Sequence, residues 1–159
     1  MSQTVASEVG HLADAAATTA LGRELAGRLL AAGLPATLLL EGDLGAGKTT
    51  LVQGLAEGLG ISEPITSPTF ALAQHYGGTA ADGRATALVH LDLYRLEDPA
   101  AAEELYAQEE EEALALGAVL AVEWPERLSF LPEPCWQVEL TFAGEGRVAR
   151  LFGAGISGA

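Results

Sequence analysis

The amino-acid sequence predicts a three-layer α/β fold, with a mostly parallel central sheet, antiparallel additions and a C-terminal β-hairpin. Three observations carry this expectation. Short continuous apolar runs, ATLLLE at 36–41 and AVLAVE at 118–123, have the character of strands buried on both faces of a parallel sheet. Leucines recur at helical spacing around the first of them: Leu21, Leu25, Leu29 and Leu30 before it, and Leu51, Leu55 and Leu59 after it. Near the C-terminus two alternating stretches, 136–142 and 147–152, flank the turn AGEG.

The first expected element is a helix over 15–32, with Asp14 as its N-cap and Gly33 and Pro35 closing it. Strand 36–41 then runs straight into a glycine-rich stretch, and the helix beyond it ends near Gly58 and Gly60. A proline-punctuated segment, SEPITSPTF, follows. The strand-like ALAQHY, the turn GGTAADG and a partner strand at 85–93 fit an antiparallel hairpin or sheet edge. Pro99 opens an Ala/Glu-rich helix to Leu116 that Gly117 ends. Strand 118–123 and a proline-bounded turn at 125–134 lead to the terminal hairpin, and the tail from 153 onward is expected to fray.

A chain of 159 residues fits a single domain, 1–159, able to bury roughly 70% of its unfolded surface. Apolar residues at 49% supply the core. The Ala/Leu-rich stretch 15–34 is broken by Arg23, Glu24 and Arg28, so it is not read as a membrane span. The N-terminus MSQTVASEVG has neither the basic nor the apolar part of a secretory signal, and the lone Cys135 has no partner for an internal disulfide. A cytoplasmic protein is expected, with Cys135 a small buried hydrophobe. The formal charge is −14. Such a surface repels phosphate backbones, which argues against tight direct binding to nucleic acid.

The chemistry concentrates at residues 42–49, GDLGAGKT, which meet the pattern G-x-x-x-x-G-K-[ST] through Gly42, Gly47, Lys48 and Thr49, with Asp43, Leu44, Gly45 and Ala46 between. Phosphate binding needs successive backbone N–H groups converging on oxygens, a turn that glycine permits and a Cβ would block. The helix starting at Lys48 adds its N-terminal dipole. Lys48 then reaches the β- and γ-phosphates of ATP, the Thr49 hydroxyl coordinates Mg²⁺, and Thr50 follows in the same turn. Chance would produce this pattern in such a chain about once in a thousand. Of the eight basic residues, Lys48 is the only lysine. Strand, loop and helix in that order make a P-loop NTPase fold the expected architecture.

Chemistry on Mg·ATP also needs a carboxylate near the metal and a group that orients the nucleophile. Asp92 and Glu123 end two strands where a parallel sheet presents its C-terminal edge; as spacing alone has it, each is either such a carboxylate or merely the start of a loop. His90, two residues before Asp92, shares its sheet face and reads as a hydrogen-bonded structural histidine rather than a ligand. Thr66, Ser67 and Thr69 form either a switch loop that senses the γ-phosphate or an ordinary proline turn. Arg95 and Arg127 follow the acidic strand ends and are candidates for neutralising charge; pairing with surface carboxylates is the plainer expectation for Arg127. The run Glu109–Glu112 reads first as a solvated helix face and second as a docking surface for a basic partner. Trp124 is expected to pack against the loop.

Four segments, LEGDLGAGKTT at 40–50, TSPTFAL at 66–72, HLDLYRL at 90–96 and VEWPER at 122–127, in this order and spacing resemble the bacterial TsaE (YjeE) family, a small ATPase family of the tRNA threonylcarbamoyladenosine pathway. The resemblance implies that Thr49, Asp92 and Glu123 surround Mg²⁺, that Lys48, Asp92 and Glu123 are the catalytic set, and that Ser67 and Thr69 belong to a switch. It implies slow ATP hydrolysis and a partner threonylcarbamoyl-transferase heterodimer of TsaB and TsaD type proteins. By the same resemblance the adenine rests near Thr18 and Arg147. The chain departs from the family between 98 and 117, where no glycine precedes Gly117 and acid is richer. The rival enzyme class is a small-molecule P-loop kinase, which would carry an arginine-rich lid, whereas Arg84, Arg95 and Arg127 are dispersed. A nucleotide-gated binding module is the non-enzymatic rival. A GTPase would need a second lysine for guanine recognition.

Overall fold

The computed structural model describes residues 7–66 and 72–153. Asp14 opens the first helix, α1 (Ala15–Ala32), by accepting a hydrogen bond from the Ala17 amide at 2.9 Å, and Gly33 closes it. Strand β2 (Ala36–Gly42) feeds through the glycine loop into α2 (Lys48–Gly58). The hairpin β3 (Ala73–Thr79) and β4 (Ala85–Asp92) precedes α3 (Pro99–Leu116), which carries an Asp98 cap and Pro99 in its first turn. Strand β5 (Val119–Glu123), a short 3₁₀ turn at Pro125–Arg127, and the hairpin β6 (Trp136–Ala143) and β7 (Gly146–Gly153) complete the chain.

The sheet has a further strand, β1 (Ser7–Leu12), and the order β1-β7-β6-β2-β5-β4-β3. The central four strands, β6, β2, β5 and β4, are parallel, and antiparallel pairs flank them on both sides. Along β2, Leu38 and Leu40 join the core formed with α1 and α2, while Leu39 faces the core formed with α3. Helices thus cover both faces, giving three layers. Each fully buried leucine contributes about 1.5–3 kcal/mol, so this two-sided run is a main source of stability. Among the described residues no helix is long and apolar enough to cross a membrane.

Three sequence expectations need correction. No element was expected before α1, yet β1 pairs with β7 from Ser7↔Phe152 to Leu12↔Arg147. Of its residues only Leu12 is buried and Val9 is 58% exposed, so hydrophobic pattern does not mark it. Backbone pairing and the Arg28–Glu8 ion pair, at 2.8 and 2.9 Å, hold it. Strand β3 extends through Gly77 and Gly78 to Thr79, because these residues keep register with β4, and the turn shrinks accordingly. Glu109 is not part of a solvated face. It shares the core-facing stripe of α3 with Ala102, Tyr106 and Ala113, is 8% exposed, and meets His75 Nε2 at 2.7 Å. The expectations for the tail beyond 153 lie outside the described residues.

Helices α1 and α2 pack at very close range. A Cβ on Gly54 would lie 2.1 Å from the Thr19 carbonyl oxygen, and one on Gly22 would lie 2.2 Å from that of Leu51. Both obstacles are backbone, which cannot swing aside. Alanine gains up to about 1 kcal/mol in helix propensity, but overpacking costs about 1–3 kcal/mol and more where backbone must move. We therefore expect Gly54→Ala to lower stability by about 1–3 kcal/mol in urea unfolding; an unchanged or raised midpoint would contradict this packing.

Candidate functional site

The carboxyl ends of β2, β4 and β5 open on one edge of the sheet, where α/β proteins place their ligands. Between β2 and α2 the loop turns through Gly45 (φ 81°) and Gly47 (φ 107°), left-handed conformations that suit glycine. The Ala46 amide donates to the Asp43 carbonyl at 3.0 Å. Gly47 is the N-cap of α2, so no side chain caps that helix. Its first-turn amides and positive dipole end face the loop interior, the arrangement that receives an anion.

Lys48 is 5% exposed. Its Nζ donates to the Gly42 carbonyl at 2.5 Å and sits 3.9 Å from the centre of the Trp124 ring. Burial pushes its pKa below the ordinary lysine value, and Glu123, Glu126, Asp92 and Asp43 oppose that shift. Trp124, the only non-glycine with positive φ among the described residues, also packs on Tyr94, with ring centres 4.8 Å apart and planes inclined at 45°.

Asp92 and Glu123 are register partners on adjacent parallel strands. The Asp92 carboxylate accepts from the Tyr94 amide at 3.0 Å; burial raises its pKa and that amide opposes the rise. Glu123 Oε2 lies 2.5 Å from His90 Nε2, both side chains being buried. The loop, Lys48, Thr49, Thr50, the two acids and Trp124 line one cleft of about 370 Å³, which Leu44 and Arg95 also border.

The profile of the family described as threonylcarbamoyl adenosine biosynthesis protein TsaE matches residues 12–150. The chain belongs to the TsaE family. Among its relatives, the tRNA threonylcarbamoyladenosine biosynthesis protein TsaE of Nostoc sp. is 47% identical over 138 residues, 85% of this chain and 78% of that protein. The protein of the same name from Synechocystis sp. is 48% identical over 123 residues, 76% and 72% of the two chains. A solved structure, that of Bacillus subtilis YdiB, superposes with a TM-score of 0.69 at 29% identity and covers 96% of this chain and 88% of its own. The family resemblance and the fold class read from the sequence are both borne out.

In this TsaE-family chain the loop residues, Asp92 and Glu123 come together as the sequence suggested. Thr18 and Arg147 lie on the other side of the loop, in an adjoining cavity of about 150 Å³ that shares Gly45, Gly47 and Thr50 with the cleft. Arg147 donates to the Ala46 carbonyl at 3.2 Å and to that of Gly45 at 3.1 Å, and its guanidinium lies 4.2 Å from the Phe142 ring centre. The terminal hairpin thereby clasps the loop. Ser67 and Thr69 lie outside the described residues. Arg127 turns to the Tyr94 carbonyl, at 3.2 and 2.8 Å, and pairs with no carboxylate among the described residues, contrary to the plainer expectation. Trp124 packs against the loop and His90 is a hydrogen-bonded buried histidine, as the sequence suggested; what sequence reasoning missed is the identity of the partners, Lys48 for the Trp124 ring and Glu123 for His90. Cys135 is buried as expected, and burial raises its thiol pKa.

Glu41, just before the loop, is half-buried and level with Glu139 on β6. Burial raises its pKa first, and the neighbouring Glu126 and Glu139 carboxylates add to the rise. A folded-state value above the unfolded one favours folding where the group is protonated, and that contribution is lost as pH rises through the folded value. We therefore expect Glu41→Gln to melt at a higher temperature than the parent at about pH 8, with the gain vanishing as pH falls below about 4. Calorimetric melts across that range check it, and a gain that grew towards acid would contradict it.

Proposed function

We propose that this protein binds and slowly hydrolyses ATP with Mg²⁺ in the cytosol, and that turnover acts on a partner threonylcarbamoyl-transferase heterodimer of TsaB and TsaD type. Through that partner it supports threonylcarbamoyladenosine modification of tRNA, the process named in its relatives. The observation that carries the reading is one cleft in which an uncapped helix N-terminus, a buried lysine and two strand-end carboxylates meet. That donor set fits a polyphosphate with a hard divalent cation: amides and an ammonium for the phosphate oxygens, a hydroxyl and carboxylates for the metal.

In this account the amides of Asp43 to Thr50 cradle the phosphates, and Lys48 offers its charge to the β- and γ-phosphoryl groups. Thr49, Asp92 and Glu123 would hold Mg²⁺, which when bound neutralises charge on the phosphate oxygens. Asp92 and Glu123 lie level on neighbouring strands, so both carboxyl groups approach the same end of the cleft. Glu123 would also orient the attacking water and accept its proton as the water oxygen bonds to the γ-phosphorus and the bond from that phosphorus to the bridging oxygen breaks, with ADP as the leaving group. Ser67 and Thr69 are the proposed sensors of the γ-phosphate. The smaller cavity between Thr18 and Arg147 is the proposed adenine seat, since it abuts the loop on the side away from the acids. With 22 acidic residues the surface suits a protein partner that presents basic groups, and tRNA is left to that partner.

We expect Lys48→Ala to weaken ATP binding by about tenfold or more, the loss of a charge-assisted contact. Glu123→Ala should lower the hydrolysis rate by about a hundredfold or more while nucleotide binding persists. Titration calorimetry and phosphate-release assays on the two purified variants check this, and parental rates in both would remove these residues from the mechanism. Phosphate passed to a small-molecule acceptor instead of to water would favour the kinase alternative. Mass spectrometry of tRNA nucleosides after depletion of the protein should show loss of threonylcarbamoyladenosine, and an unaltered level would separate the protein from the pathway.

A further inference from the structure

His90 is wholly buried on β4 and directs its Nε2 at Glu123 Oε2, 2.5 Å away. A carboxylate oxygen only accepts, so the ring nitrogen donates and the imidazole carries its hydrogen on Nε2. The other nitrogen, Nδ1, is buried without a hydrogen-bond partner among the described residues. All the polar capacity that the ring uses is therefore spent on one oxygen of Glu123. A buried group left half-satisfied costs stability, and an apolar side chain of similar size would avoid that cost. Packing alone does not account for a histidine here.

The strand geometry explains what the ring does for its neighbour. In the parallel register His90 is level with Ala121 and Asp92 with Glu123, so His90 lies two residues deeper and on the inward face that Asp92 shares. The Glu123 carbonyl already accepts from the Leu93 amide at 3.1 Å, which fixes its backbone. The side chain still has rotatable bonds, and it stands where the sheet ends and the cleft begins.

We propose that His90 is a positioning residue for Glu123: the Nε2–H bond holds one carboxylate oxygen at the floor of the cleft and leaves the other as the oxygen presented to ligand and water. The proposal rests on the role given to Glu123 above, and acts through it; His90 is wholly buried behind Glu123 and is not among the residues that line the cleft. An orienting partner behind a working carboxylate changes rate more than affinity, because the carboxylate remains but samples unproductive rotamers.

The test compares His90→Met, which fills the space without a donor, with His90→Gln, whose amide nitrogen reaches about as far as Nε2, and His90→Asn, whose donor stops at the level of Nδ1. We expect kcat for ATP hydrolysis to fall about 10–100-fold in His90→Met with the Kd for Mg·ATP within about twofold of the parent. His90→Gln should restore kcat to within about threefold of the parent, and His90→Asn should not. A folded His90→Met with parental kcat overturns the proposal, as does a joint loss of melting temperature and affinity in proportion to kcat. Should His90→Met fail to fold, the two amide variants decide: equal kcat in His90→Gln and His90→Asn overturns it. Glu123→Ala measured alongside separates the failures. If that variant hydrolyses ATP normally, the role of Glu123 falls and takes the positioning with it; if it is inactive while His90→Met is not, only the positioning falls.

Discussion

The backbone amides at the start of α2, gathered without a side-chain cap around a glycine turn, are the constraint on which the rest of the molecule depends. Free helix N-terminal amides need hydrogen-bond partners, and an anion seated in a turn of this kind satisfies several of them at once. Much of the surrounding structure holds them in place. Gly22 and Gly54 let α1 press against α2 so closely that no methyl group fits between, which fixes the axis of α2. From the opposite side Arg147 on β7 ties down the carbonyls of Gly45 and Ala46.

Charge is distributed to the same end. A chain of net charge −14 places its single lysine inside the loop and buries it against Trp124, within the field of Glu123, Glu126, Asp92 and Asp43. Burial destabilises an ammonium, and the acids oppose that cost in part. Asp92 and Glu123 are brought level by parallel pairing of β4 and β5, two strands separated in sequence by α3. An apolar sheet edge would deliver neither acid. The parallel register is thus a functional element as much as a structural one.

Where local chemistry decides structure, the sequence was legible. Asp14 and Gly33 bound α1, and Pro99 and Gly117 bound α3, at the residues their capping preferences indicate. The two continuous apolar runs became β2 and β5, and the P-loop pattern located the turn and Lys48. What stayed hidden depends on tertiary partners. Strand β1 has too few buried side chains to show a pattern and exists because β7 offers an edge. Glu109 looks like its solvated neighbours until the helix phase puts it beside His75. His90 could be placed on a face from its spacing to Asp92, but its contact is with Glu123, across a strand boundary that only the register defines.

The central claim is that the loop between β2 and α2 takes up a triphosphate with its amides, one ammonium and a hydroxyl-bound cation. Titration calorimetry of the folded protein with Mg·ATP, repeated with its partner proteins supplied, tests it most directly. The account predicts saturable heat of association at one nucleotide per chain, and the absence of any heat in both settings would contradict it.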